Sequence, residues 1–216
     1  MVEAVILDRD GVLTYFDLEV AAVHLAQLIP MPLHQLAERW FAWGSHHGAP
    51  QNLAQEQQFF QEFWLEICQE LGLPEAIRQQ LVAFDYTVCV RPYPEVTQVL
   101  AALDKQPVRI GVLSNFALAS LEASLEAAGL ARYIDVACAA PVIGAAKPAP
   151  AAYLTVMERL GVDPTDCLFV DDEEICVEGA RAVGMRAYLM DRQRPDHDLA
   201  AHILRDLTPL PHLTGH

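Results

Sequence analysis

Short apolar runs bounded by polar residues recur along this chain and predict buried parallel strands. Each run is four to seven residues long, and several end directly in Asp or Ser. Apolar runs without alternation are typical of strands that are covered on both faces. The predicted strands are residues 2–8, 108–114, 134–137, 167–171 and 186–190.

Stretches with helical periodicity separate the later strands. They cover residues 117–128, 150–160, 174–183 and 195–204. Because strands and helices alternate at this spacing, we expect an α/β fold built on a doubly wound parallel sheet.

Residues 16–91 interrupt that alternation. They contain no strand-like run, but residues 33–43 and 53–71 show helical periodicity. We expect an all-helical insertion directly after the first strand. The chain then divides into a core of residues 1–15 and 92–216 and an inserted helical domain of residues 16–91.

Composition limits the partners. The chain has 216 residues, of which 53% are hydrophobic, and 29 acidic residues against 14 basic ones give a net charge of -15. A surface this acidic repels phosphate backbones, so we expect no nucleic-acid partner. The sequence shows no membrane-spanning run and no basic leader before Glu3, and its five cysteines lack CxxC spacing. We expect a cytoplasmic protein with no membrane partner, and the sequence does not specify an oligomeric state.

Polar side chains follow the predicted strands where an open parallel sheet binds its ligands, at the carboxyl ends. Asp8 and Asp10 are two residues apart, so in an extended chain both side chains lie on the same side. Lys147 precedes a predicted helix. The complete set of candidate site residues is Asp8, Asp10, Ser114, Asn115, Lys147, Asp171 and Asp172.

The four carboxylates of this set need a positive partner. Two like charges 4 Å apart repel by about 4 kcal/mol at an effective dielectric constant of 20. A hard divalent cation with oxygen ligands removes that repulsion, and Mg²⁺ fits best. A metal-bound carboxylate beside a second carboxyl is a candidate nucleophile with its own acid and base. Ser114 and Lys147 add a donor and a positive charge for a tetrahedral anion, which indicates phosphoryl transfer.

Four segments carry a resemblance to a known family. Residues 8–13 resemble the DxDGxL motif of the haloacid dehalogenase superfamily, in its Mg²⁺-dependent phosphatase branch. Residues 113–115, 144–148 and 169–172 resemble that family's Ser/Thr, Lys and acidic motifs, in the same order. The helical insertion resembles the small C1-type cap of subfamily I. The resemblance implies a Rossmann-like core with an inserted cap domain.

The resemblance also implies catalytic roles. Asp8 would attack phosphorus and become an aspartyl-phosphate. Asp10 would protonate the leaving alkoxide and then activate water, while Lys147 would neutralise the phosphoryl oxygens and hold Asp8 in place.

Binding roles follow from the same resemblance. Ser114 and the backbone near Asn115 would hold the phosphoryl group. The implied Mg²⁺ ligands are Asp8, the Asp10 carbonyl, Asp171 and Asp172. One position departs from the family pattern, because Cys176 stands where many members have Asp or Asn. Cysteine is a poor partner for Mg²⁺, and Glu173 or a water could substitute.

These observations predict an Mg²⁺-dependent hydrolase that removes phosphate from a small phosphorylated metabolite. A sugar phosphomutase of the same superfamily is an alternative, as is a non-catalytic interaction protein that retains the fold. Dehalogenating members generally lack a residue equivalent to Asp10, and phosphonate-cleaving members use a cap lysine that residues 16–91 do not contain. The cap aromatic residues are expected to form its core, and the sequence does not identify the substrate.

Overall fold

Six parallel strands form the central sheet. The computed structural model describes residues 1–117 and 120–215. Along the sheet the strand order is β5-β4-β1-β6-β7-β8, and β2 pairs with β3 in a separate antiparallel ribbon. The strands are β1 (Ala4–Leu7), β2 (Thr14–Phe16), β3 (Val90–Pro92), β4 (Arg109–Ser114), β5 (Val136–Ala139), β6 (Cys167–Asp171), β7 (Arg186–Met190) and β8 (Ile203–Leu204).

Strand β1 lies at the centre of the sheet and fixes where the first carboxylate emerges. Its four residues are all buried, which explains their uninterrupted apolar character. Leu7 pairs with Val112 of β4 on one side and with Val170 of β6 on the other. The carboxyl ends of β1, β4 and β6 therefore meet at one edge of the sheet.

Helices cover both faces of the sheet. Val5 and Leu7 of β1 belong to one buried apolar cluster, and Ala4 and Ile6 belong to a second cluster on the opposite face. This arrangement confirms the predicted doubly wound α/β fold. The helices are α1 (Leu18–Leu25), α2 (Leu33–His47), α3 (Leu53–Glu70), α4 (Glu75–Val82), α5 (Val96–Leu103), α6 (Leu121–Ala127), α7 (Ala140–Ile143), α8 (Pro150–Leu160), α9 (Glu174–Ala182) and α10 (Leu210–Leu213).

Helices α1 to α4 pack around an apolar cluster of their own, which includes Leu25, Phe63 and Trp64. The chain enters and leaves this segment through the ribbon of β2 and β3. The expectation of an all-helical segment beginning at Phe16 was therefore wrong at its ends. There the entering and leaving chains run side by side, and each satisfies the other's backbone groups. The domain ranges 1–15 with 92–216, and 16–91, stay a prediction.

The predicted helix at residues 195–204 was also wrong. The Asp198 side chain accepts a hydrogen bond from the Ala201 backbone, and Asp198 forms an isolated antiparallel bridge with Ile203. Asp side chains compete with helical hydrogen bonds in this way and favour turns. The segment ends as the short strand β8.

Smaller shifts occur at other element boundaries. The predicted strand at 134–137 lies two residues later, and α6 begins at Leu121 because Ser120 caps its first turn. Leu118 and Ala119, within the predicted helix 117–128, lie outside the described residues. Within the described part of the chain, no helix is both long and apolar enough to span a bilayer.

Candidate active site

A buried lysine links two carboxylates at the carboxyl edge of the sheet. Asp8 directly follows β1, and Asp171 ends β6. Lys147 Nζ donates to Asp8 Oδ1 and to Asp171 Oδ2, both at 2.7 Å. All three residues are buried, so water screens these charges weakly. Lys147 lies in the turn before α8, which begins only at Pro150.

This burial changes the acid–base properties of the group. Burial lowers the pKa of Lys147, but the carboxylates of Asp171 and Asp8 raise it further, so that its pKa exceeds the ordinary value. Burial also raises the pKa of Asp8 well above the usual range, against the opposing charge of Lys147. The two carboxyl groups thus favour the charged form of Lys147, and this single lysine faces two acidic side chains.

Asn115 fixes the backbone of Lys147 from the neighbouring strand end. Its amide nitrogen donates to the Lys147 carbonyl at 3.1 Å, and its amide oxygen accepts from the Lys147 backbone nitrogen at 2.8 Å. Because both backbone groups are held, Asn115 determines where the lysine side chain begins.

Ser114 is buried at the end of β4 but bonds within its own loop. Its hydroxyl donates to the Phe116 carbonyl at 2.9 Å and accepts from the Phe116 backbone nitrogen at 3.2 Å. It shapes the turn that carries Asn115. The structure therefore places Ser114 at the end of β4, the strand next to β1, with its hydroxyl bonded within its own loop.

Asp10 pairs with the buried Arg9. Arg9 Nη2 donates to Asp10 Oδ2 at 2.6 Å, and Arg9 Nε lies 3.1 Å from each oxygen of that carboxylate. Arg9 Nη1 also lies 3.4 Å from the Ser124 hydroxyl of α6. The Asp10 side chain nevertheless exposes 54% of its surface, so it is oriented by Arg9 and still accessible.

Three carboxylates converge where a cation would fit. Oxygens of Asp8, Asp171 and Asp172 lie within 4.8 Å of one another. Burial, followed by repulsion from Asp171, raises the pKa of Asp172 to about 7. Asp172 also occupies space that only glycine leaves free, because a Cβ at Gly11 would lie 2.0 Å from Asp172 Oδ2. Oxygen-only donors with excess negative charge suit a hard divalent cation such as Mg²⁺.

Cys176 forms a second cluster with Glu173 and Asp171, whose ligand atoms lie within 4.8 Å of one another, and this cluster shares only Asp171 with the three carboxylates. Its buried thiol donates to Glu173 Oε2 at 3.2 Å, and burial raises the pKa of the thiol. Glu173 was expected to substitute for Cys176 near the metal, but its side chain is hydrogen-bonded to Cys176 itself. Sequence reasoning identified the departure from the family pattern but not this pairing.

Two further residues at the site were missed from the sequence. Arg192 Nε donates to the Gly11 carbonyl at 2.8 Å and its Nη2 donates to the Val12 carbonyl at 2.5 Å. Glu56 of α3 is buried, and its Oε1 accepts from the Ala117 backbone nitrogen at 2.8 Å. The sequence did contain a signal for Glu56, because this glutamate lies four residues before Phe60 and therefore on the apolar side of its helix. Nothing in the sequence distinguished Arg192 from other arginines.

Fold and site together define an α/β enzyme whose acidic and basic groups gather at the carboxyl edge of a parallel sheet. The family model for haloacid dehalogenase-like hydrolases matches residues 2–184. The chain therefore belongs to the haloacid dehalogenase-like hydrolases, as the motif resemblance predicted.

Individual relatives refine this assignment. The chain is 38% identical over 210 residues to "Phosphatase MT3486" of Mycobacterium tuberculosis, which covers 97% of this chain and 95% of that protein. It is 36% identical over 113 residues to "Fructose-1-phosphate phosphatase YqaB" of Escherichia coli, covering 52% and 56%. L-2-haloacid dehalogenase from Xanthobacter autotrophicus superposes with a TM-score of 0.80 at 23% identity, covering 100% and 99%. That last similarity shows the shared fold alone.

Proposed function

We propose that this hydrolase removes phosphate from a small phosphomonoester, with Mg²⁺ and through an aspartyl-phosphate on Asp8. The contact that supports this proposal most directly is the pairing of buried Lys147 with both Asp8 and Asp171. It places a cation beside a carboxylate at the position where an anionic substrate would enter. The phosphatase relative that aligns over 97% of the chain points to the same reaction.

Asp8 is the nucleophile of this mechanism. Lys147 holds Asp8 Oδ1 at 2.7 Å, which orients the other carboxylate oxygen for attack. A bond forms between that oxygen and phosphorus while the ester P–O bond breaks. Lys147 stays protonated throughout and stabilises negative charge on the phosphoryl oxygens.

Asp10 transfers the protons. It protonates the leaving alkoxide in the first step, and in the second it takes a proton from the water that attacks phosphorus. That attack breaks the bond to Asp8 and regenerates its carboxylate. Arg9 fixes the direction of the Asp10 carboxylate, and the exposed part of that side chain can reach a bound ester.

The metal would be held by Asp8, Asp171, Asp172 and the Asp10 carbonyl. When bound, Mg²⁺ supplies positive charge that neutralises the phosphoryl oxygens and the converging carboxylates. Within this chain, Gly11 leaves the space that Asp172 needs, and Asn115 holds the lysine backbone. Ser114 shapes the loop whose backbone amides would face the phosphoryl group.

The cellular setting is part of the proposal. Cys68, Cys89, Cys138, Cys167 and Cys176 are all free and buried, which suits the reducing cytoplasm. The net charge of -15 supports a small-molecule substrate rather than nucleic acid. We also propose that residues 16–91 act as a cap over the site, because Glu56 joins this segment to the loop after β4.

Turnover of p-nitrophenyl phosphate tests this function. We expect activity with Mg²⁺ and its loss in EDTA, restored by excess Mg²⁺. Full activity in EDTA would contradict the metal requirement. No turnover of any phosphomonoester under Mg²⁺ would contradict the phosphatase itself and favour an interaction protein.

A further inference from the structure

A continuous row of aromatic rings crosses the helical segment. Phe16 lies 6.5 Å from Tyr86, measured between ring centroids, and Tyr86 stacks on Phe60 at 5.6 Å. Phe60 in turn stacks on Trp40 at 5.1 Å, and the Trp40 ring lies 6.1 Å from Phe116. Each of the five is partly exposed, whereas their neighbours Phe59 and Phe63 are buried. We call Phe16, Tyr86, Phe60, Trp40 and Phe116 the aromatic row.

Both ends of the aromatic row are close in the chain to residues of the candidate active site. Phe116 directly follows Asn115 in the loop after β4, and Phe16 ends β2, six residues after Asp10. The middle is fixed as well. Glu56 lies one helical turn before Phe60 and bonds the Ala117 backbone, which holds α3 against that loop. The contacts at Phe116 and Glu56 therefore join the row to the loop that carries Asn115, and Phe16 joins it through β2 to the segment that carries Asp10.

The charges of this segment would not favour an anionic leaving group. Residues 16–91 contain nine carboxylates and three arginines, with no lysine. Arg39 bonds both oxygens of Glu70 at 2.5 and 2.6 Å, and Arg78 bonds both oxygens of Glu75 at 2.5 and 2.8 Å.

The third arginine is also engaged. Arg91 donates to the Val88 and Val90 carbonyls, both at 3.0 Å, and its Nε lies 4.0 Å from Asp17. All three cations of the segment thus have acceptors within the segment. A second anionic group on the substrate would find no lysine and no unengaged arginine among residues 16–91.

We infer that the aromatic row binds the organic part of the substrate, and that this part is uncharged and aromatic or strongly apolar. The inference rests on the proposed phosphatase function and specifies its substrate class. An aryl group can place its whole face on these rings. A sugar offers them only its C–H faces, and a carboxylate would lose hydration without gaining a cation. The preferred substrate is a phosphate monoester of an aryl-bearing alcohol, and neither a sugar phosphate nor a phosphorylated acid.

Substrates with comparable leaving groups test this inference. Benzyl phosphate and ethyl phosphate both release a primary alcohol, so their comparison isolates the ring. Phosphoglycolate and fructose 1-phosphate supply the anionic and hydroxyl-rich cases. With Mg²⁺ and the full chain, we expect kcat/KM for benzyl phosphate to exceed each of the others by about tenfold or more. Equal values, or a preference for phosphoglycolate, would overturn the inference while leaving the phosphatase function intact.

Variants locate the effect in the aromatic row. Trp40→Leu and Phe60→Leu should each reduce the benzyl-to-ethyl ratio of kcat/KM by about fivefold or more, mainly through KM. Trp40→Phe should restore most of the ratio. Phe41→Leu is the matched control, because Phe41 neighbours Trp40 but exposes 72% of its surface; its ratio should equal that of the wild type.

A binding measurement covers variants with too little activity to assay. Calorimetry with benzylphosphonate and ethylphosphonate should show the same preference and the same loss in the Leu variants. An unchanged ratio in both Leu variants would overturn the inference. Inactivity of the wild type toward every ester would instead reject the proposed function and, with it, the substrate class.

Discussion

Asn115 and Lys147 bond each other's polar groups in both directions. The side-chain amide of Asn115 donates to the Lys147 carbonyl and accepts from the Lys147 backbone nitrogen, at 3.1 and 2.8 Å. The residue that supplies positive charge is thereby tied to the end of β4, although it is 32 residues away in the chain. Rigid placement of this kind reduces the reorganisation that charge stabilisation would otherwise require.

Replacing Asn115 with alanine should lower kcat by about 10–100-fold. The lysine would keep its charge but lose the two bonds that position its backbone. Steady-state kinetics with p-nitrophenyl phosphate measure this. Asn52→Ala is the control, because Asn52, the chain's other asparagine, caps α3 instead; that variant should lose about 1 kcal/mol of stability. Equal losses of kcat in both variants would contradict a positioning role for Asn115.

Lys147→Gln should affect both stability and activity. The substitution leaves the buried carboxylates of Asp8 and Asp171 without their cation. In the absence of metal it should therefore lower the free energy of unfolding by about 3–5 kcal/mol. Added Mg²⁺ should recover part of that stability but not the activity. Chemical denaturation with and without Mg²⁺ measures this. The exposed Lys105→Gln, at the chain's other lysine, should change neither quantity.

The folding stability of the metal-free protein should depend on pH through the titration of Asp172. Because burial and Asp171 raise the pKa of Asp172 to about 7, the folded state favours its protonated form. The stability from that proton is complete below the ordinary value of 3.8 and is lost as pH rises through about 7. Asp172→Asn should therefore raise the metal-free Tm relative to wild type more at pH 8 than at pH 5, by about 2–4 °C per kcal/mol.

Thermal melts in EDTA and in Mg²⁺ check this dependence. Mg²⁺ should raise the Tm of the wild type at pH 8 and raise that of Asp172→Asn much less. The exposed Glu174→Gln serves as the control for removing a nearby charge, and its melting curves should follow the wild type. A difference in metal-free Tm between Asp172→Asn and the wild type that does not change with pH would contradict the raised pKa of Asp172.

Arg192→Ala should weaken catalysis, although we expect Arg192 to act through the loop at Gly11 rather than by contacting the substrate. Its guanidinium holds the Gly11 and Val12 carbonyls, pairs with Glu95 at 2.9 Å and packs 3.4 Å above the Tyr93 ring. Losing it frees the loop that carries the Asp10 carbonyl, so the Mg²⁺ concentration for half-maximal activity should rise by about tenfold.

Arg194→Ala is the matched control, because Arg194 lies 4.0 Å from Asp198 on the surface. A Mg²⁺ midpoint that stays at the wild-type value in Arg192→Ala would contradict this role. Partial recovery with Arg192→Lys, which keeps the charge but not the forked geometry, would be consistent with it.

The sequence predicted the parts of the fold that depend on local burial. Strand β1 is buried on both faces and therefore appears as an apolar run, and Asp8 follows it directly. The parallel sheet then brings the carboxyl ends of β1, β4 and β6 together whatever the helices do. This is why Asp8 and Asp171 could be grouped in advance, whereas Lys147, in the turn before α8, lies at none of these strand ends.

Tertiary contacts explain what the sequence could not provide. The pairing of Arg9 with Asp10 depends on the shape of the turn at Gly11, and the bond from Glu56 to the Ala117 backbone depends on how α3 approaches the sheet. The aromatic residues of α2 and α3 all recur at helical spacing, so the sequence pattern does not distinguish buried rings from exposed ones. Only the packed structure separates the buried Phe59 from the partly exposed Trp40.

Trapping the covalent intermediate on Asp8 tests the proposed mechanism most directly. The full chain is mixed with p-nitrophenyl phosphate and Mg²⁺, quenched in acid, reduced with borohydride and mapped by mass spectrometry. We expect the reduced aspartyl-phosphate product at Asp8, and a loss of turnover of at least about 1,000-fold in Asp8→Asn. A modification at another residue, or Asp8→Asn turnover within tenfold of the wild type, would contradict Asp8 as the nucleophile.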